Sequence, residues 1–302
     1  MNGIIPLWKP KGMTSHDCVD RIRKIMKTKK VGHTGTLDPE VEGVLPICIG
    51  KATKIVSLMT QHQKEYRTEI SLGRSTTTED FTGETVETKE VDRELSIEEC
   101  EKALNHFIGE IDQIPPMYSA VKVNGMKLYE YAREGLTVER PSRVVKIHNI
   151  TLLSGELVRV GDMDVRFTFN VHCSGGTYIR TLCVDIGKAL GYPAHMSELT
   201  RLQSGAFVSD DSVTFSQIQQ AVDDEDFDRI FLPMKYALPE LREYVITDTE
   251  LIRFHQGQVL PIPEELTEEK MFKVIDPNGA LIAIYQPHPK KTGLMKPVKV
   301  LV

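Results

Sequence analysis

The sequence predicts an α+β protein built on a mixed, largely antiparallel sheet. Several stretches alternate apolar and polar residues as half-buried strands do, amphipathic helical stretches fall between them, and the two follow no regular βαβ rhythm.

Each element has its own signal. "TSHDCVDRIRKIMKTKK" reads as a helix capped by Thr14 or Ser15, with Val19, Ile22, Ile25 and Met26 at helical spacing and Arg21, Arg23, Lys24 and Lys27 on the other face. "VLPICIG" reads as a buried strand, and "KEYRTEISLG" alternates as a strand does. "TTTEDFTGETVETKE" is polar and turn-rich, hence loop or sheet edge. "SIEECEKALNHFIGEI" reads as an amphipathic helix ending near Gly109. Asn124-Gly125 suits the tight turn of a hairpin, "RVVKIHNITLLSGEL" and "DVRFTFNVHCSGG" are strands, and "TYIRTLCVDIGKALG" is a helix with Gly191 near its C-cap. The acidic "DDEDFDR", with Pro233 and Pro239, marks a change of character. Beyond it come one short helix, "DTELIRFHQG", and strands such as "MFKVID" and "ALIAIYQ" around a "DPNG" turn. The expected organisation is a large domain over residues 1–240 and a small, mostly-β module over 241–302.

Composition narrows the function classes. The 302 residues are 40% hydrophobic and 26% charged, enough for a sizeable core. Five cysteines (Cys18, Cys48, Cys100, Cys173, Cys183) form no CxxC pair and read as buried small hydrophobes. No apolar run reaches the ~18 residues needed to cross a bilayer. The N-terminal "MNGIIPLWKPKG" is interrupted by Pro6, Lys9 and Pro10 before a signal-peptide core, and the expectation is a cytoplasmic protein with no membrane partner. The net charge of −6 hides an asymmetry: residues 1–74 carry thirteen Lys and Arg against seven Asp and Glu. A basic face on an acidic chain suits a phosphate backbone, although a charge run alone is as readily a solvated helix face.

The loop "VGHTGTLDPEVEG" sets a lone carboxylate, Asp38, among glycines and threonines. Pro39 disfavours helical backbone at Asp38, so its carboxylate is presented by an extended chain. An aspartate before proline is commonly just a turn residue; here it follows His33, Thr34 and a basic helix and precedes an anchoring strand. A functional carboxylate that is partly buried needs a cation to stay ionised, and Arg180 in "CSGGTYIRT" is the candidate. No histidine pair or cysteine spacing suits a metal, and no nucleotide-binding glycine motif or serine-nucleophile signature stands out.

Four motifs, "GHTGTLDPEVEGVLPICIGKATK", "KEYR", "IPPMYSAVKVNGMKLYEYAREG" and "CSGGTYIRTLCVDIGKALG", together resemble the TruB-type tRNA pseudouridine synthases, in order through most of residues 1–205. The end of the chain is more loosely similar to the RNA-binding PUA module that closes many members. The resemblance implies that the substrate is the T-arm of tRNA and that uridine 55 of its T-loop becomes pseudouridine. It implies Asp38 as the catalytic aspartate, Tyr66 of "KEYR" as the tyrosine that packs on the flipped base and takes part in proton transfer at C5, and Arg180 as the aspartate's partner. It further implies Tyr178 beside Arg180, Leu199 of "SELTRL" lining the pocket, and His33 inserted in the remodelled T-loop.

Such an isomerisation needs no metal, redox group or other small-molecule cofactor. It needs a carboxylate, an aromatic platform and a site that excludes water. Lys24, Lys27 and Lys54, with Lys51, are the expected contacts to the RNA backbone, and the protein is expected to act as a monomer. Two rivals remain: a non-catalytic RNA-binding or RNA-folding protein on the same scaffold, and a hydrolase pairing Asp38 with Glu40 or Glu42 about 5–9 Å apart.

Overall fold

The apolar strand over "VLPICIG" has residues to bury on both of its faces, and the computed structural model, which describes residues 1–153, 155–161 and 163–301, shows what fills them. The chain divides into two compact units, Met1–His62 with Gln203–Val302, and Gln63–Leu202.

The first unit begins with β1 (Gly3–Lys9), followed by α1 (Ser15–Ile25), β2 (Val31–His33), β3 (Glu42–Ile49) and, after a 3-10 turn, the short α2 (Val56–Met59). Thr14 caps α1: its side chain accepts from the Asp17 N–H while the Asp17 carboxylate accepts from the Thr14 N–H. β1 and β2 both pair antiparallel with β3.

The second unit holds β4 (Lys64–Leu72), β5 (Arg74–Thr76), β6 (Thr85–Thr88), α3 (Ile97–Asn105), β7 (Gly109–Gln113), β8 (Lys122–Val123), β9 (Met126–Lys127) and α4 (Leu128–Arg133). It continues with β10 (Arg143–Leu152), β11 (Val158–Val160), β12 (Asp164–Cys173), α5 (Ile179–Leu190) and β13 (Ala194–Ser204). Its strands run in the order β13-β4-β12-β10-β7, with β11 on β12. β4, β10, β7 and β11 join this array through antiparallel pairings. Asn124 and Gly125, both at positive φ, turn the β8–β9 hairpin as expected. The polar, threonine-rich stretch supplies β6, which pairs with β5 in a two-stranded sheet of its own. The predicted strand over 143–157 runs from Arg143 to Leu152; Ser154 within that stretch lies outside the described residues.

The return to the first unit comprises β14 (Phe207–Val208), α6 (Phe215–Asp223), β15 (Arg242–Val245), α7 (Asp248–His255), β16 (Leu260–Pro261), β17 (Phe272–Ile275), β18 (Leu281–Pro287) and β19 (Leu294–Val300). The last five strands form a separate sheet, β15-β17-β18-β19-β16, the expected C-terminal β module. It does not stand off on a linker. Alternation sends Ile5, Leu7, Leu45, Ile47 and Ile49 into a core with α1 and α6. Ile4, Val44 and Cys48 point the other way, into a core with Leu238, Ile275, Leu281, Ile284 and Leu301. A strand covered on both faces reads as an unbroken apolar run, which is why β3 shows no alternation.

Three differences from the sequence expectation have physical causes. The helix expected to end near Gly109 stops at Asn105, and Gly109, at φ 116°, instead opens β7. β13 carries no strand signal because eight of its eleven residues are buried irrespective of parity. α6, capped by Thr214 and Gln217, ends at Asp223, where the acidic stretch begins, in a segment to which the sequence reading assigns no element. All five cysteines are free and buried, as expected, and among the described residues no helix is long and apolar enough to cross a membrane.

Candidate active site

Asp38 lies half-buried at the head of a turn. Its carbonyl accepts the Val41 N–H at 3.1 Å, with Pro39 at the position where proline's fixed φ favours a turn. Two buried side chains fasten this turn. Ser15, in the first turn of α1, accepts the Leu37 N–H at 2.9 Å and donates to the Leu37 carbonyl at 3.2 Å. Lys9, fully buried at the end of β1, donates Nζ to the carbonyls of Pro10 (2.9 Å), Pro39 (3.1 Å) and Val41 (2.6 Å). The Gly12 N–H adds a 2.9 Å bond to the Pro39 carbonyl. An ammonium buried among carbonyls is satisfied by them and ties the backbone just after Asp38 to the end of β1. Gly43, at φ 124°, then lets the chain enter β3 opposite Lys9.

His33 ends β2, half-buried, with Nδ1 accepting the Gly35 N–H at 3.3 Å. Lys24 and Lys27 are exposed, Lys27 in left-handed backbone (φ 48°) just past the end of α1. Lys54 is also exposed, but its Nζ donates to the Val300 carbonyl at 2.8 Å, joining the N-terminal region to β19 within the first unit.

In the second unit the first turn of α5 is the hub. Arg180, only 6% exposed, donates to the Thr78 carbonyl at 3.0 Å and the Tyr118 carbonyl at 2.9 Å, with Asp80 Oδ2 4.0 Å from its guanidinium. The neighbouring Thr181 hydroxyl donates to Glu79 at 2.7 Å. Glu79 is held at φ 62°, its carboxyl pushed above the usual range by burial. Asp80 organises its own loop, accepting from the Thr78 and Thr82 hydroxyls and the Thr82 N–H. Tyr178 precedes α5; Gln113 on β7 accepts its N–H at 2.7 Å and donates to its carbonyl at 2.9 Å. The Arg143 guanidinium lies 5.7 Å from the Tyr178 ring.

Tyr66 sits on β4 opposite Val171, 8% exposed. Lys64 and Thr68 share its side of the strand by alternation. Lys64 is buried, and burial, with Arg201 nearby, brings its ammonium down to about 8. Arg201 on β13 is fully buried, and burial lowers its pKa. Leu199, on the same strand, is buried at 8% exposure.

The expected site residues therefore fall into two groups, His33 and Asp38 on one fastened loop, and Tyr66, Tyr178, Arg180 and Leu199 on the sheet and helix of the second unit. Sequence reasoning passed over Lys9, Gln113, Glu79, Asp80 and Arg201. Lys9 carried the one visible signal, a charge directly closing an apolar strand; the others lie in stretches whose patterning is unremarkable.

Comparison with known proteins adds to this geometry. The family model described as TruB family pseudouridylate synthase (N terminal domain) matches residues 23–179, and that of the tRNA pseudouridylate synthase B C-terminal domain matches residues 180–239. The chain is 53% identical to the tRNA pseudouridine synthase B of Bacillus pumilus (strain SAFR-032), the alignment spanning 100% of this chain and 98% of that protein. It is 52% identical to the protein of the same name from Bacillus subtilis (strain 168), over the same shares of each. Among solved structures, a chain of a Cbf5-Nop10-Gar1 complex is similar, with a TM-score of 0.74 and 29% identity over 99% of this chain and 85% of that one.

Proposed function

This chain belongs to the TruB family of pseudouridine synthases, and on that premise we propose that it isomerises uridine 55 in the T-loop of tRNA to pseudouridine. The observation that carries the reading is Asp38, a half-buried carboxylate on a turn held by a buried lysine and a buried serine, which supports a chemical role over mere connection.

The reaction breaks the bond between N1 and the ribose C1′, turns the base, forms a C5–C1′ bond, removes the C5 proton and returns a proton to N1. Asp38 supplies the anionic oxygen that acts at the electron-poor centre. Arg180 keeps it ionised and oriented. Tyr66 supports the detached base and takes the C5 proton, with Tyr178 and Leu199 closing the pocket against water. Extruding the nucleotide costs about a few kcal/mol of stacking. His33, inserted in the loop, and Lys24, Lys27 and Lys54 on the RNA backbone offset that cost, which makes binding salt-sensitive. Residues 1–240 form the catalytic region and residues 241–302 a PUA-like RNA-binding module of a monomeric, cytoplasmic enzyme.

The test is tritium release from a tRNA transcript labelled at uridine C5, followed by mapping of the modified position, for the wild type and Asp38→Asn. Release by the wild type alone, at the T-loop uridine, is expected. Tight, salt-dependent tRNA binding without release would overturn the synthase in favour of a non-catalytic RNA-binding protein.

A further inference from the structure

Glu79 takes no part in the mechanism above, yet it is one of four non-glycine residues at positive φ among those described, at 62°. Left-handed backbone is costly for a residue with a Cβ and persists only where surrounding bonds hold it. Here they come from three elements. The Glu79 N–H donates to the Thr76 carbonyl at 3.2 Å, and the Glu79 carbonyl accepts the Met196 N–H on β13 at 3.0 Å. The Met196 carbonyl accepts the Phe81 N–H at 3.1 Å, which brackets Asp80 against β13. The side chain reaches α5, where Glu79 Oε2 accepts the Thr181 hydroxyl at 2.7 Å in the first turn.

The chain neighbours of Glu79 both face Arg180. The Thr78 carbonyl accepts from Arg180 Nη1 at 3.0 Å, and Asp80 Oδ2 lies 4.0 Å from the same nitrogen, while Nη2 donates to the Tyr118 carbonyl at 2.9 Å. A guanidinium is a rigid planar fork, so the places of its acceptors fix its plane. The Glu79–Thr181 bond ties the acceptors of Nη1 back to the helical turn that carries the arginine. Joined at adjacent residues, Thr78 to Arg180 and Glu79 to Thr181, loop and helix cannot slide past one another without breaking both bonds.

We propose that Glu79 is a positioning residue for Arg180, holding the plane of the guanidinium through the bond to Thr181. The inference rests on the reading of Arg180 as the partner of the catalytic aspartate. A plainer role competes with it. A carboxylate near a helix N-terminus stabilises the helix through its dipole, and α5 has no acidic residue of its own in the first turn. The dipole effect needs a charge, whereas a clamp needs only an acceptor, and burial works against the charge on Glu79.

The experiment uses the full-length protein as wild type, Glu79→Gly, Glu79→Gln, Arg180→Lys and the double variant Glu79→Gly/Arg180→Lys. Single-turnover pseudouridine formation in tRNA, tRNA affinity and the thermal midpoint are measured for each. Glycine adopts positive φ without strain, so Glu79→Gly removes the side chain and keeps the loop folded. It should lower the single-turnover rate about 30-fold, with the Kd for tRNA changed less than about twofold. Glu79→Gln, which keeps an acceptor for Thr181, should recover most of that loss. On the Arg180→Lys background, where no fork remains to align, Glu79→Gly should cost less than about threefold more. A wild-type rate in Glu79→Gly would overturn the proposal. An equal loss in Glu79→Gln and Glu79→Gly would do so in favour of the helix dipole, and a fully additive loss on Arg180→Lys in favour of a general structural role. If tRNA is modified and one of these results is found, this inference falls alone; if the wild type forms no pseudouridine, the reading beneath it falls too.

Discussion

The two units hold their expected catalytic groups by the same chemistry used in opposite senses. Around Asp38 the functional group is a carboxylate on a turn, and the fastener is a separate cation, Lys9, bound to the carbonyls of Pro39 and Val41 just after it. Around Arg180 the functional group is itself the fastener, its guanidinium bridging the carbonyls of Thr78 and Tyr118. Position and chemistry are therefore separable in the first unit and fused in the second.

Four experiments press on that contrast. Lys9→Met removes a donor from three carbonyls, of which that of Pro39 keeps the Gly12 N–H, and should destabilise the protein by about 3 kcal/mol, read as a denaturant midpoint, while lowering turnover with KM for tRNA little changed. A variant as stable and active as wild type would show that the turn holds itself. Arg180→Lys retains the charge but not the fork, and should lower the single-turnover rate by about 100-fold; a loss below fivefold would mean that charge alone suffices there. Neutralising Lys24 and Lys27 together should weaken tRNA binding and reduce its salt slope by about 2 with the rate at saturation kept, and an unchanged slope would remove the α1 terminus from the RNA interface.

The fourth concerns Lys64. Its pKa is about 8 when folded against an ordinary 10.5, so between those values the unfolded chain binds more protons than the folded one and stability rises with pH. Lys64→Met should abolish that rise, about 1 kcal/mol between pH 7 and pH 9. A rise that survives the substitution would assign it to another group.

Much of the fold was legible because it rests on local signals. The Thr14 cap, the Asn124-Gly125 turn, the alternation of β4 and β12 and the glycine ending α5 are each written in a few adjacent residues. β13 was not, because its residues are buried without regard to parity. The same division holds at the site. Asp38 is conspicuous in its glycine- and threonine-rich loop, Arg180 follows from the need for a partner cation, and Tyr66 comes through motif resemblance alone. Lys9 and Gln113 bond to groups 30 to 65 positions away in the chain, and no short-range pattern in the sequence announces such a contact.

The discontinuity of the first unit bears on how the protein is made. Residues 63–202 leave the ribosome as one continuous stretch and hold within it every strand of the β13-β4-β12-β10-β7 array but the last two residues of β13. β1 and β3, in contrast, precede that stretch and wait for partners encoded after it: α6 for one face, and Leu238, Ile275, Leu281, Ile284 and Leu301 for the other. Domains generally fold as units during synthesis, so the strands flanking the Asp38 loop acquire their final packing only after residues 215–301 have been made.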